Sequence, residues 1–123
     1  MVSLPNGFPP EYRLKNRRAF SRLSQRGRLF STDCLLIQWG KSGVDHARIG
    51  ITVVRRLGSA VERNTFRRRA KEAFRLSKLR HVLGIDINLK PKKSLSIPFS
   101  AFCIAFERLE KMLSHEASKG SSG

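Results

Sequence analysis

The chain has 123 residues, and its 25 Lys and Arg against nine Asp and Glu give a formal net charge of +16. This length predicts one domain with one core. The positive charge favours a nucleic-acid partner over an anionic membrane surface. No apolar run approaches the roughly 18 residues of a membrane-spanning helix, and the start of the chain lacks a signal-peptide pattern, so the composition excludes an integral membrane protein and predicts a cytoplasmic one.

The first half of the chain predicts an arm, a short helix and three strands. Residues 1–12 contain three prolines and a glycine, which predict a flexible N-terminal arm. Asn16 is a suitable N-cap for a helix over about 17–26, which Gly27 ends. Apolar and β-branched runs then predict strands at about 29–30, 34–39 and 48–54, with the polar segment 41–46 as a hairpin turn.

The second half predicts a helix, a strand and another helix. A basic helix covers about 59–78, and alternating apolar residues over 82–89 predict the last strand, which the charged and proline-containing segment 90–93 breaks. An amphipathic helix begins near Pro98, and the polar residues 114–123 predict a disordered tail. The order α-β-β-β-α-β-α predicts a single α+β domain over residues 13–113, with the helices packed on one sheet.

The basic helix carries about half of the net charge. The segment from Arg55 to Arg80 contains ten Lys and Arg and only two acidic residues. Ser59 followed by Glu62 fits a capping box, which places the helix start just after Gly58. At 100° per residue, one arc of the helix is suited to the core and a neighbouring arc is basic. The core arc contains Phe66, Ala70, Ala73, Phe74 and Ser77, and the basic arc contains Asn64, Arg67, Arg68, Lys71, Arg75 and Lys78.

The basic arc predicts a phosphate-binding surface. Arginines in the first turns oppose the helix dipole, and like charges one turn apart repel each other, each at a few tenths of a kcal/mol. A face that served solubility alone would mix the signs of charge. Phosphates, in contrast, are favoured both by the arginines and by the helix N-terminus.

The sequence RRLGSAVERNTFRRRAKEAFR, from Arg55 to Arg75, resembles the signature of the bacterial ribonuclease P protein subunit. The strand RIGITVV before it and the opening RLKNRRAF are also similar to that family, and the resemblance covers about residues 13–113. It implies an α/β sandwich like that of ribosomal protein S5 domain 2, with a left-handed βαβ crossover in place of the usual right-handed one. It also implies a protein that joins a catalytic RNA, ribonuclease P RNA, to remove the 5′ leader from precursor tRNA.

The resemblance implies binding roles for two sets of residues. The first set, expected to contact the catalytic RNA, is Arg63, Asn64, Arg67, Arg68 and Lys71, and the neighbouring Arg55, Arg56 and Arg75 extend it. The second set is expected to form a cleft for the single-stranded leader and contains Phe20, Leu36, Gln38, Arg13 and Lys15. Ser24 and Gln38 stand where the family often has aromatic residues. Because stacking contributes about 1–3 kcal/mol per base, leader binding here is expected to depend more on charge and hydrogen bonds.

No pattern in the sequence predicts a catalytic residue or a metal ligand on the protein itself. The nine acids are spread from Glu11 to Glu116, and no histidine stands in a recognised catalytic motif with a serine or cysteine. We therefore expect Mg²⁺ to be held mainly by the RNA partner, and the protein to be a monomer before it meets the RNA. Three other functions would also explain the positive charge of the chain: that of a ribosomal protein or RNA chaperone, that of a DNA-binding protein, and that of a membrane-surface helix. The last two fit less well, because a strand precedes Ser59 and the apolar stripe is small.

Overall fold

The computed structural model describes residues 10–82 and 84–122, with side chains for 11–82 and 84–115, so residues 1–9 of the predicted arm lie outside it. The observed order of elements confirms the prediction. They are α1 (Arg17–Arg26), β1 (Arg28–Ser31), β2 (Leu35–Lys41), β3 (Arg48–Ile51), α2 (Ala60–Leu76), β4 (Ile85–Pro91) and α3 (Phe99–Ser122). Short 3-10 helices lie at Pro10–Tyr12, Arg55–Leu57 and Lys78–His81.

The four strands form one sheet in the order β1-β2-β4-β3. Strand β2 is antiparallel to both β1 and β4, whereas β3 is parallel to β4. The prediction of a β2–β3 hairpin is therefore wrong, because β4 lies between these strands. The segment after β2 instead contacts the start of β4, where the Ser42 N–H donates to the Gly84 carbonyl at 2.7 Å. Strands β3 and β4 and the connecting α2 form the predicted βαβ unit, and the left hand of its crossover stays a prediction.

Two predicted boundaries differ from the structure. Strand β4 begins at Ile85 and not at Val82, because a 3-10 helix extends to His81 and Gly84 turns the chain with φ of 67°. The strand also continues to Pro91, its last residue, which has no N–H to donate, and the pairing with the β2 side resumes at the Lys92 N–H, which donates to the Cys34 carbonyl at 3.0 Å. Helix α3 continues to Ser122, past the point where the polar tail is predicted to begin, and the disorder of that tail stays a prediction.

The main core lies between one face of the sheet and helices α2 and α3. The apolar arc of α2 is confirmed, since four of its members are at most 1% exposed and Ser77 is half-buried. Rings from the two helices meet edge to face, Phe66 on Phe102 at 5.1 Å and Phe74 on Phe106 at 5.9 Å between centroids. Such pairs add about 0.5–1.5 kcal/mol each to their burial.

Helix α1 packs on the opposite face of the sheet and covers only part of it. Its N-cap is confirmed, because the Asn16 side chain accepts the Arg18 N–H at 2.8 Å. It ends at Gly27, where a Cβ would collide with the Leu23 carbonyl. A small cluster of buried residues, Leu14, Ala19 and Leu23, holds the helix, with Phe20 packed beside it.

Candidate nucleic-acid interface

The start of α2 is fixed by a reciprocal pair of hydrogen bonds. The Ser59 hydroxyl accepts the Glu62 N–H at 3.1 Å, and the Glu62 carboxylate accepts the Ser59 N–H at 2.9 Å. This is the predicted capping box. The hydrogen bonds from Ser59 lower the pKa of the Glu62 carboxyl below its usual range. The cap holds the first turn, and with it Arg63 and Asn64, in one orientation.

The predicted RNA-contacting residues lie together along α2 and the turn before it, and we call them the basic surface. Arg55, Arg56, Asn64 and Arg68 are exposed. The other four members, Arg63, Arg67, Lys71 and Arg75, are half-buried at the base of the same surface. A 17-residue helix is about 25 Å long, so the surface can follow several phosphates of an RNA backbone.

Two arginines of the basic surface already have protein partners. The Arg63 Nε donates to the Gly58 carbonyl at 3.3 Å. The Arg75 Nε and Nη2 donate to the two oxygens of the Glu72 carboxylate, at 2.9 and 2.6 Å, and this pairing lowers the pKa of Glu72 and raises that of Arg75. A carboxylate therefore offsets the charge of Arg75. Further towards the helix N-terminus, Arg67 lies close enough to Lys71 for its charge to lower the pKa of that lysine.

The structure places Arg13 near the basic surface rather than in the leader cleft for which it was predicted. Arg13 pairs with Ile49 in a parallel bridge, so both side chains point to the core face of the sheet, which α2 covers. Burial, and then the charges of Arg13 and Arg67, lower the pKa of Lys71. Three cations thus converge at one place. The Arg13 Nε is buried there without a hydrogen-bond partner within the described residues.

We call the face of the sheet beside α1 the α1 groove. The strand register places Leu29, Gln38, Asn88 and Gly50 in one row across the four strands. The Phe20 ring packs against Gly50, where a Cβ would collide with it. The next row contains Leu36 and Lys90. Three of the predicted cleft residues, Phe20, Leu36 and Gln38, therefore meet in this groove, while Lys15 is exposed just before α1.

Sequence reasoning missed the polar side chains of β4. Asp86 and Asn88 are 2% and 5% exposed and point to the groove face. The Arg48 guanidinium donates two hydrogen bonds of 2.8 Å to Asp86, which raise the pKa of Arg48. The Thr52 hydroxyl donates to the Asn88 Oδ1 at 2.9 Å. Strict alternation of Ile85, Ile87 and Leu89 was the signal that could have placed Asp86 and Asn88 on the opposite face.

Among the described side chains, those of residues 11–82 and 84–115, no three His, Cys, Asp or Glu lie close enough together to hold a metal ion. The buried carboxylate, Asp86, is bound by Arg48. In the same part of the chain, no helix is long and apolar enough to cross a membrane.

The sequence model of the ribonuclease P family matches residues 8–114. The chain is similar to the ribonuclease P protein component of Thermotoga petrophila, with 33% identity over 112 residues that span 89% of this chain and 96% of that protein. It is also similar to the ribonuclease P protein component of Gluconacetobacter diazotrophicus, with 41% identity over 80 residues, or 63% of this chain and 69% of that protein.

Solved structures show the same likeness in three dimensions. The RNase P protein of Staphylococcus aureus matches with a TM-score of 0.70 at 26% identity, over 83% of this chain and 94% of that one. The RNase P protein of Thermotoga maritima matches with a TM-score of 0.68 at 30% identity, over 79% of this chain and 93% of that one. Sequence and fold therefore agree over most of the chain.

Proposed function

Because the chain belongs to the ribonuclease P protein family, we propose that it binds the catalytic RNA of ribonuclease P through the basic surface and the 5′ leader of precursor tRNA through the α1 groove. The observation that supports this division is that the two surfaces lie on opposite faces of one sheet and differ in chemistry. The first is dense in arginine, which suits the phosphates of a folded RNA. The second combines an aromatic ring, amides and one lysine, which suits a single strand with accessible bases.

The protein acts in this proposal without catalytic residues of its own. Six of the nine acidic side chains form a hydrogen bond or an ion pair with a neighbouring residue, namely Asp45, Glu62, Glu72, Asp86, Glu107 and Glu110. None of these arrangements resembles a paired-carboxylate site for hydrolysis. Leader removal is therefore assigned to the RNA partner and to Mg²⁺ that the RNA holds. The protein contributes by binding and orienting the two RNAs.

The proposal extends to the state of the free protein. A net charge of +16 opposes self-association, so a monomer is expected before the RNA is bound. The site of action is the cytoplasm, where precursor tRNA is processed in bacteria.

The test is leader release by a reconstituted ribonucleoprotein. The protein is mixed with a bacterial ribonuclease P RNA and precursor tRNA at low Mg²⁺, where we expect it to raise the rate of leader release above that of the RNA alone. No stimulation, with an RNA that is active alone at high Mg²⁺, would contradict the proposal. Binding of RNA without stimulation would favour the alternative of a non-catalytic RNA-binding module.

Charge removal on α2 tests which surface binds the catalytic RNA. Arg67→Ala with Arg68→Ala is expected to weaken binding of ribonuclease P RNA by roughly tenfold or more, because each removes a charge-assisted hydrogen bond. As the control, Arg108→Ala with Lys111→Ala, on the exposed side of α3, removes the same number of charges and should change the affinity little. Circular dichroism and thermal unfolding check that the fold is intact. Equal losses in the double variant and the control would contradict the assignment of the basic surface.

A further inference from the structure

Two amide side chains lie next to each other on the floor of the α1 groove. Gln38 on β2 and Asn88 on β4 are directly opposite in the antiparallel register. Their Cβ atoms are therefore about 5 Å apart on the same face of the sheet. Gln38 is half-buried and Asn88 is 5% exposed. A pair of amides at this spacing can bind the edge of one nucleobase.

The Asn88 amide is held in one orientation by its neighbour on the β3 side. The Thr52 hydroxyl donates to the Asn88 Oδ1 at 2.9 Å, so the oxygen points towards Thr52 and the amide nitrogen points away from it. Within the described part of the chain, that nitrogen has no hydrogen-bond partner. Its two N–H groups are the unused hydrogen-bonding capacity of the side chain. A ligand that offers an acceptor here gains a hydrogen bond whose donor is already oriented.

The surroundings of the amide pair fit a nucleotide. At one end of the row, the Phe20 ring lies over Gly50, and at the other end Leu29 is 65% exposed. These apolar groups can contact the face of a base. Lys90, in the next row of the sheet, supplies a cation for the adjoining phosphate.

We propose that this row reads one base of the single-stranded 5′ leader, and that Asn88 donates a hydrogen bond to a keto oxygen of that base. The row then prefers guanine or uracil over adenine or cytosine, because the latter two present an amino group in the equivalent place. Gln38, directly opposite Asn88 on β2, supplies the second hydrogen bond. The inference depends on the proposed leader binding in the α1 groove and adds the specificity of that site.

The test uses the complete ribonucleoprotein and a series of precursor tRNAs. Each leader is adenosine throughout except for one uridine, which is moved one position at a time, and the dissociation constant is measured for each. We expect one position at which uridine tightens binding by on the order of tenfold. Asn88→Asp keeps an acceptor for Thr52 but replaces the N–H donors with an oxygen, so at that position the preference should reverse to adenosine. Gln38→Ala should reduce the preference for uridine at that position.

Two further variants make the result decisive. Gln25→Ala removes an exposed amide on α1, outside the groove, and should leave the preference unchanged. Thr52→Val removes the hydroxyl that orients Asn88 and should weaken the preference severalfold, which keeps the inference testable if Asn88→Asp fails to fold. The inference is overturned if the wild-type protein shows no preference at any position, or if the preference survives in Gln38→Ala and in whichever of Asn88→Asp and Thr52→Val folds.

The same experiment separates this inference from the proposed function. Leader release at low Mg²⁺ is measured for every substrate, whatever its leader sequence. Stimulation without base preference overturns the reading by Asn88 and leaves the proposed function in place. Loss of stimulation for all leaders overturns both.

Discussion

Two polar side chains on β4 show how a central strand can carry charge. Asp86 is 2% exposed, and an unpaired carboxylate at that depth would cost several kcal/mol. The two hydrogen bonds from Arg48 offset this cost, and the Thr52 hydroxyl does the same for Asn88. Both partners come from β3 or the residue after it, so the pairs also join the two parallel strands on the groove face.

Lys71 gives the basic surface a dependence on pH. Burial, Arg13 and Arg67 lower its pKa, so Lys71 loses its proton at a pH below the ordinary lysine value of about 10.4. A neutral amine no longer attracts phosphate, and RNA affinity should therefore fall as the pH rises through the lowered pKa. The stability of the free protein should change in the opposite direction, because in this window the unfolded chain binds more protons than the folded one.

The measurement is RNA affinity between pH 7 and 9.5 for the wild-type protein and for Lys71→Arg, which does not titrate in this range. We expect the wild-type affinity to decline by up to about tenfold, the value of one charge-assisted contact, and the variant to decline less. Lys111→Arg on α3 is the control and should follow the wild type. Identical pH profiles for wild type and Lys71→Arg would contradict the prediction.

At the scale of one element, the N-terminal cap of α2 connects stability to the binding surface. Ser59→Ala removes the side-chain acceptor of the cap and should destabilise the protein by about 1 kcal/mol. Glu62→Gln should have a smaller effect that depends on pH. The folded pKa of Glu62 is lowered, so its contribution is present above the ordinary glutamate pKa of about 4.3 and is lost as the pH falls through the folded value.

Urea unfolding at pH 7 and pH 3 measures both changes. The difference between wild type and Glu62→Gln should shrink at the lower pH, whereas the effect of Ser59→Ala should largely remain. Ser21→Ala, on the exposed side of α1 and away from its cap, serves as the control and should not destabilise the protein. A loss in Ser21→Ala as large as in Ser59→Ala would show that the cap is not the cause.

The sequence predicted the helices better than the sheet, for a physical reason. The start of a helix depends on residues within one turn, so Asn16 and the pair Ser59 and Glu62 were sufficient to locate α1 and α2. Strand pairing depends on residues far apart in the chain, and a hairpin between β2 and β3 was the simplest local choice. The insertion of β4 between them requires contacts such as Arg48 with Asp86, 38 residues apart.

In the candidate site, too, the residues on a helix were predictable from the sequence and those on the sheet were not. The two arcs of α2 follow from helical period, and the structure confirms the buried arc. The α1 groove is built from four strands, and only the register shows that Asn88 lies beside Gln38 and that Arg13 belongs with Lys71. Single-strand patterns do not contain that information.

At the scale of the whole molecule, positive charge is concentrated on the two helices that lie on opposite faces of the sheet. Besides the basic surface of α2, helix α1 exposes Arg17, Arg18, Arg22 and Arg26 and contains no acidic residue. Helix α3, in contrast, mixes signs and forms the ion pair of Glu107 with Lys111 at 3.5 Å. This distribution agrees with the proposal that the protein binds one RNA on each side of the sheet.

Salt dependence tests this distribution. If six or more phosphates are contacted, affinity for RNA should fall on the order of 10³-fold between 50 and 200 mM salt, because each contact releases condensed counterions. Filter binding across this range measures the slope, and the Arg67→Ala and Arg68→Ala double variant should reduce it by roughly two contacts. A flat salt response would contradict the basic surface as a phosphate-binding site.

The position of β4 in the sheet has a consequence for the order in which the molecule assembles. This strand is the last to be synthesised, yet β2 and β3 pair with it and not with each other. Before residue 91 is available, the β1–β2 hairpin and β3 have no common partner, and α2 has neither a finished sheet nor α3 against which to bury Phe66 and Phe74. Closing such long loops is slow, and it makes folding a late, concerted event. An incomplete nascent chain therefore carries the arginines without the folded sheet that positions them. Under the proposed function, productive capture of RNA requires β4 and α3 to have been made.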